Sequence, residues 1–296
     1  MQTFETPKPI DVTAELGVGS LQLAAADRSD TLVDVRPSDP SKRSDVVAAE
    51  QTIVEYANGR LLVRAPKGWR QWSPLGPWGH ESIDVHIELP SGSSLSGHVG
   101  VGAVRSSGRL GDCRFRTGAG DINLDEADAV ELRTGAGDAI AERVHGTAQV
   151  TTGSGAVRIS SADERAVVRN GNGDTWIGEV TGEARVNAAN GRISIERAHA
   201  GVVAKTANGD VRLGLVKHGA VVAQTSFGAV EVGVQDRVAA WLDLDTKFGT
   251  VLNELDEAAR PDANEDSVEV HARTSMGNIT IRRALDSDVP EASPRA

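Results

Sequence analysis

The sequence predicts an all-β fold: a single-domain β-solenoid, of the β-helix or β-roll kind, with coils of about 18 residues. Three observations point there. A tight-turn glycine recurs at Gly102, Gly120, Gly137, Gly155, Gly173, Gly191, Gly209, Gly228, Gly249 and Gly277, at intervals of 18, 17, 18, 18, 18, 18, 19, 21 and 28. Apolar residues alternate with polar ones on both sides of that glycine, and helix-period patterning is thin along the whole chain.

The solenoid is expected over 1–285, with 1–81 as N-terminal coils carrying insertions and 82–285 as regular repeats. Val12, Ala14 and Leu16 lead into Gly17-Val18-Gly19, and Leu21 and Leu23 follow, as in the later coils. A polar stretch covers 36–45, and 44–50 is the best short helix candidate. Asn58-Gly59, inside 56–63, predicts strand, turn, strand, because both residues tolerate positive φ. A Pro- and Gly-rich loop spans 66–79, and the alternation over 82–90 predicts a further strand.

In the regular repeats, seven and five residues before the glycine stand pairs such as Cys113 and Phe115, Val130 and Leu132, Ala166 and Val168, Val202 and Ala204. Two and four residues after it stand Ile122 and Leu124, Val157 and Ile159, Val211 and Leu213, Ile279 and Ile281. Period-two alternation about a turn means strand, turn, strand, with Arg114, Glu131, Arg185, Asn123, Arg158, Arg212 and Glu231 facing solvent. About ten coils stacked edge to edge at about 4.8 Å make a rod about 45–50 Å long. With 4 Phe, 5 Trp and 1 Tyr in the chain, small and β-branched residues must fill the interior. An acidic insertion at 255–267 accounts for the longest interval; the strands around Gly277 then close the stack, and 286–296 form a disordered tail.

The net charge of −11 argues against a general footprint for nucleic acid or an anionic membrane. A lone Cys113 excludes an intramolecular disulfide or a cysteine-based zinc site, and reads as a small buried hydrophobe. The N-terminal residues lack a basic stretch followed by an apolar run, and nowhere do about 18 apolar residues follow one another. A cytoplasmic chain without membrane insertion is the expectation.

The reiterated Thr-Gly-Ala-Gly-Asp at 117–121 and 134–138, Asn-Gly-Asn-Gly-Asp at 170–174 and Thr-Ala-Asn-Gly-Asp-Val at 206–211 resemble a bacterial family of β-strand-repeat proteins that carries an adhesin label and has no established function. The segment 84–92, Asp-Val-His-Ile-Glu-Leu-Pro-Ser-Gly, looks like that family's lead-in, and the likeness is strong over 82–283. The resemblance implies a β-solenoid and no established reaction.

Each conspicuous row has a structural reading beside its functional one. The Gly-x-Gly pairs lack the third glycine and following helix of a dinucleotide loop, so they read as turns. Asp121, Asp138, Asp174 and Asp210 follow the turn glycine, but Ala156, Arg192 and Ala229 interrupt them; each is expected to cap its own turn rather than ligate calcium. Thr117, Thr134, Thr152, Thr206, Thr225, Thr246 and Thr274, three residues before the glycine, are expected to form an internal hydroxyl ladder, with Asn172, Asn190 and Asn208 as a short amide ladder. Arg116, Arg133, Arg169, Lys205 and Arg273 form an outward row, with Thr151, Asn187 and Gln224 between them, that reads either as a solvated face or as a contact for an anionic polymer. Trp69, Trp72 and Trp78 beside Lys67 and Arg70 either fold over an end of the solenoid or present a contact surface.

No motif of hydrolase, metalloprotease or nucleotide-binding type occurs, the seven His share no metal-ligand spacing, and neither catalytic residues, metal nor cofactor are expected. The expected function is therefore a non-catalytic binding or scaffold platform, adhesin-like, for a protein or polymer partner. Its candidate contacts are Trp69, Arg70, Trp72, Trp78, Arg116, Arg133, Arg169 and Lys205. The alternatives are a self-assembling, bactofilin-like structural solenoid, since an uncapped coil exposes unpaired strand edges, and a carbohydrate-active solenoid enzyme using Asp121 and Asp138 beside Arg116 and Arg133.

Overall fold

A computed structural model describes residues 1–66, 81–255 and 267–284; their secondary structure is β-strand joined by turns, apart from a helix at Arg43–Gln51. The chain divides into two compact units, 1–140 and 141–296.

The first unit is organised around Asp11–Ala26, a strand long enough to form both halves of a coil. Its first half pairs in parallel with Ser94–Val101 and its second with Val104–Ser107. Ser94–Val101 pairs with Cys113–Ala119, and that strand with Val130–Ala136, so Leu95, Cys113 and Val130 stack in register. The residues expected inside are inside: Leu16, Leu21, Phe115, Ile122 and Leu132 are all buried, and Leu95 joins them. On the other edge of Asp11–Ala26 lie Arg60–Arg64 and Ser82–Pro90, also parallel. Beyond them the ladder turns antiparallel, through Ile53–Ala57 on one and Asp30–Pro37 then Gln2–Glu5 on the other. The N-terminal residues thus supply both coil strands, Asp11–Ala26 and Arg60–Arg64, and an antiparallel edge, Gln2–Glu5, Asp30–Pro37 and Ile53–Ala57, which a purely coil-like reading of 1–81 does not anticipate. Asn58 and Gly59 make the hairpin turn with φ of 52° and 76°, and Asp45 of the helix is buried against the Lys42 ammonium at 3.0 Å.

In the second unit, Ala148–Ser154, Ala166–Asn172, Ala184–Asn190, Val202–Lys205 and Gly219–Phe227 pair successively in parallel. The strands after the turn, Val157–Ala162, Thr175–Val180, Ile193–Ala198, Val211–Val216 and Val230–Gln235, do the same. The end of the stack differs from expectation. Ser267–Met276 and Ile279–Ala284, around Gly277, pair directly with the Gly228 strands. Ala239–Phe248 and Val251–Asn253, around Gly249, lie outside them. The chain therefore passes over one coil position and returns to fill it, and Gly249 rather than Gly277 closes the described stack. The outer strand is correspondingly exposed at Trp241 and Phe248, and Gly249 lacks the positive φ shared by the preceding turn glycines.

That outer strand is held partly by charge. His271 bridges Asp243 (3.0 Å) on the outer strand and Glu269 (2.9 Å) on its own, and Arg273 reaches Asp243 at 3.1 Å. Hydrogen bonds from His271 to Asp243 and then Glu269 raise the imidazole above its ordinary 6.5. Hydrogen bonds from His271 and then Arg273 lower the Asp243 carboxyl below 3.8. The His271 contribution is complete below its unfolded value and is lost as pH rises through the raised one; the Asp243 contribution is complete above its unfolded value and is lost as pH falls through the lowered one. Amide exchange of Ala239–Phe248, corrected for its intrinsic pH dependence, is expected to rise between pH 6 and pH 9 relative to exchange of Ala184–Asn190. A ratio independent of pH, or unaltered by His271→Ala, would contradict this.

Candidate functional site

Two surfaces result from this stacking, both within the second unit. The first is the expected outward row. Backbone register places Thr151, Arg169, Asn187, Lys205, Gln224 and Arg273 side by side on consecutive strands, followed by Asp245. Arg169, Lys205 and Arg273 are exposed, and one cation stands at every second strand, about 9.6 Å apart. Arg169 and Lys205 form no ion pair among the described residues, whereas Arg273 is engaged by Asp243. Two residues further along each strand stand Gly171, Ala189, Ala207, Ser226 and Ser275. Of these, Ala207, Ser226 and Ser275 line a shallow trough of about 460 Å³ that includes Asn187, Lys205, Gln224, Arg273 and, at its outer end, Lys247.

The remaining expected contacts fall elsewhere. In the first unit, Arg116 and Arg133 are exposed neighbours in register, with Arg133 held by Glu131 at 2.8 Å. Trp69, Arg70, Trp72 and Trp78 lie outside the described residues.

The inner rows are structural, as expected, and bind coil to coil. Thr134 donates to the Gly120 carbonyl, Thr206 to Gly191, Thr225 to Gly209, Thr274 to Gly228 and Thr246 to Gly277, at 2.8–3.2 Å. Asn170 takes the threonine's place in its own coil and bonds Gly155 and Gly173. Asn190 and Asn208 extend an amide ladder from Asn172 at 2.8 and 2.7 Å. The aspartates do not cap their own turns. Asp121 accepts from the Asp138 N–H, Asp174 from Arg192 and Asp210 from Ala229, each on the next coil, at 2.8–2.9 Å. A coil's own turn already has its donors satisfied by the neighbouring coil's backbone, so the carboxylate reaches the adjacent unbonded N–H. Cys113 is buried, and desolvation pushes its thiol up to about 12, far from a nucleophile's range.

The second surface was not singled out in the sequence. Trp176 occupies the outward position three residues after Gly173, between Arg158 and Ser194 on the flanking strands. Its half-buried indole stacks on the Arg158 guanidinium, 4.0 Å from the ring centroid. The signal was available, because the alignment that places Arg158, Arg212 and Glu231 outward places Trp176 there too.

Stacked parallel coils, an aliphatic interior with an inner threonine row, and flat outward rows define a β-solenoid that offers repeated surfaces. The chain belongs to the Toastrack DUF4097 family, whose model matches residues 21–282; the resemblance read from the Gly-Asp repeats is borne out. Among solved structures it is similar to a "putative adhesin" from Bacteroides fragilis NCTC 9343, at 12% identity over 95% of each chain with a TM-score of 0.36. It is also similar to a "putative cell adhesion protein" from Clostridium sporogenes ATCC 15579, at 12% identity over 95% of this chain and 98% of that one with a TM-score of 0.24. No curated protein matches. Among the described residues, no helix is long and apolar enough to cross a membrane.

Proposed function

We propose that the chain is a non-catalytic binding protein whose second unit lays an extended, sparsely charged acidic polymer along the row from Arg169 to Arg273. One observation carries this reading: cations alternate with the amides of Asn187 and Gln224 over a floor of small residues. The spacing argues for the class of partner. Each strand of a DNA duplex presents a phosphate about every 3.4 Å of helix axis, so cations about 9.6 Å apart would leave most of its phosphates unneutralised, against a protein of net charge −11. An acidic polysaccharide bearing one carboxylate on every second ring suits the row better, with the intervening amides and hydroxyls donating to neutral rings.

Titration with an acidic polysaccharide such as hyaluronate, beside neutral dextran, tests it. Tighter binding of the acidic polymer, weakened by salt and by at least about tenfold (about 1.4 kcal/mol) in Arg169→Glu/Lys205→Glu, is expected, with any binding of dextran unaffected by that variant. Equal binding of both polymers, or an unaffected variant, would overturn it.

A second reading, self-association, is favoured by the exposed outer strand Ala239–Phe248. A sedimentation coefficient that rises with concentration supports it, and a constant one removes it.

A further inference from the structure

Trp176 and its surroundings form a slot that the acidic-polymer reading does not use. Register places Trp176, Ser194 and Arg212 on three consecutive strands. The Arg158 guanidinium stacks over the indole from the strand on the other side. Stacking between residues in register on adjacent strands sets the ring normal along the direction in which coils stack. The ring also extends along its own strand, over Gly178, where an added Cβ would come within 2.8 Å of the indole's outer carbon. The Nε1–H donates to Glu196 Oε1 at 3.2 Å, and Ser194 Oγ donates to the same oxygen at 3.0 Å. The indole is thus fixed on three sides: a cation on one face, a glycine beneath its edge and a carboxylate on its nitrogen. Its second face looks across Ser194, a small residue, toward Arg212 two strands away. The space belongs to a cavity of about 460 Å³.

We infer that this slot binds a neutral hexopyranose ring stacked on Trp176. Its width is about 9.6 Å, two strand spacings. Contacts of about 3.5–4.0 Å to each wall occupy most of this and leave a layer about 2 Å thick. A flat aromatic ring would leave that layer partly empty, whereas the axial spread of a puckered saturated ring fills it, with C–H groups directed at the indole. Charge selects a neutral ring. Asp174, Glu196, Asp210 and Glu231 line the cavity against Arg192 and Arg212, a negative excess that disfavours an anion. Each of those carboxylates spends a known oxygen within the protein: Asp174 on the Arg192 N–H, Asp210 on the Ala229 N–H, Glu231 on Arg282 and Glu196 on Trp176. A carboxylate has about four acceptor sites, so acceptors remain for ring hydroxyls, and Arg212, exposed and without an ion pair among the described residues, supplies donors.

The test uses the full chain labelled with ¹⁵N and titrated with methyl β-D-glucopyranoside, methyl β-D-galactopyranoside and methyl α-D-mannopyranoside. At least one sugar is expected to shift the Trp176 indole N–H resonance saturably, with transfer of magnetisation from protein to sugar ring protons. Trp176→Ala should reduce affinity at least tenfold. Ser194→Leu, which keeps the indole and fills the slot, should do the same, while circular dichroism shows both variants folded. No shift of the Trp176 resonance with any of the three sugars, or undiminished binding in Ser194→Leu, would overturn the inference. The two binding proposals fail separately: Arg169→Glu/Lys205→Glu should leave the sugar titration unchanged, and Trp176→Ala should leave the acidic polymer's binding unchanged.

Discussion

Gly120→Ala is expected to destabilise the first unit by about 4 kcal/mol or more, the exceptional end of single substitutions, while Gly17→Ala stays within about 1 kcal/mol. Gly120 has φ of 137°, and a Cβ there would lie 2.0 Å from the Gly102 carbonyl oxygen of the coil beneath. Neither element can yield cheaply. The obstructing atom is backbone, and moving it breaks the ladder that stacks Cys113–Ala119 on Ser94–Val101. The conformation itself is one that side-chain-bearing residues rarely adopt. Gly17, although also in a coil strand, has nothing within 4 Å of an added Cβ. Urea unfolding of the two variants beside the parent measures the contrast. Similar midpoints for Gly120→Ala and Gly17→Ala would show that close approach of coils is not what the repeated glycine provides.

Phe115→Ala is expected to cost about 3–5 kcal/mol. Phe115 is 0% exposed and heads the largest fully buried side chains, and the other buried hydrophobic residues among those described are Val, Ile, Leu, Ala and Cys. Its strand is paired on both sides, with Ser94–Val101 and Val130–Ala136, so the backbone has little freedom to collapse into the vacated volume. Cys113, two residues earlier and 2% exposed, offers a second readout. Its thiol, pushed up to about 12 by burial, should resist alkylating reagents at neutral pH until the unit opens. Phe115→Ala should therefore accelerate Cys113 labelling as well as lower the unfolding midpoint. Phe115→Leu should do less of both. Labelling at the parent rate with an unchanged midpoint would mean that the cavity closes by repacking.

The coil pattern was legible because one constraint, period two about a fixed glycine, repeats often enough to outweigh local exceptions. It placed Phe115, Ile159 and Leu213 inside and Arg158 and Arg212 outside, as found. It stopped short at a third buried position, held by Ala127, Ala162 and Ala198. Two successive outward residues, such as Asp125 and Glu126, break the alternation just before it. The order of the last coils was not legible either. Alternation says that a strand will stack, not on which neighbour. The 28-residue interval before Gly277 adds only modestly to the entropy of loop closure over an 18-residue one, so the chain can pass over a coil and return.

For the candidate surfaces, the basic row was visible as spacing in the sequence. Its small-residue floor, and Lys247 at its end, became apparent only when strands distant in sequence came into register. Trp176 was hidden differently. Three tryptophans cluster in the Pro- and Gly-rich segment and draw attention there, although the repeat alignment places Trp176 on an outward face.

The proposed acidic polymer would be read along the stack, one anion for every second coil. A length series of hyaluronate oligosaccharides, growing by one disaccharide at fixed ionic strength, tests it most directly. Affinity should rise in steps as successive carboxylates reach Arg169, Lys205 and Arg273, and should level off once the chain spans about 19 Å, four strand spacings. Affinity independent of length, or a rise that continues without a plateau and survives Arg169→Glu/Lys205→Glu, would contradict it.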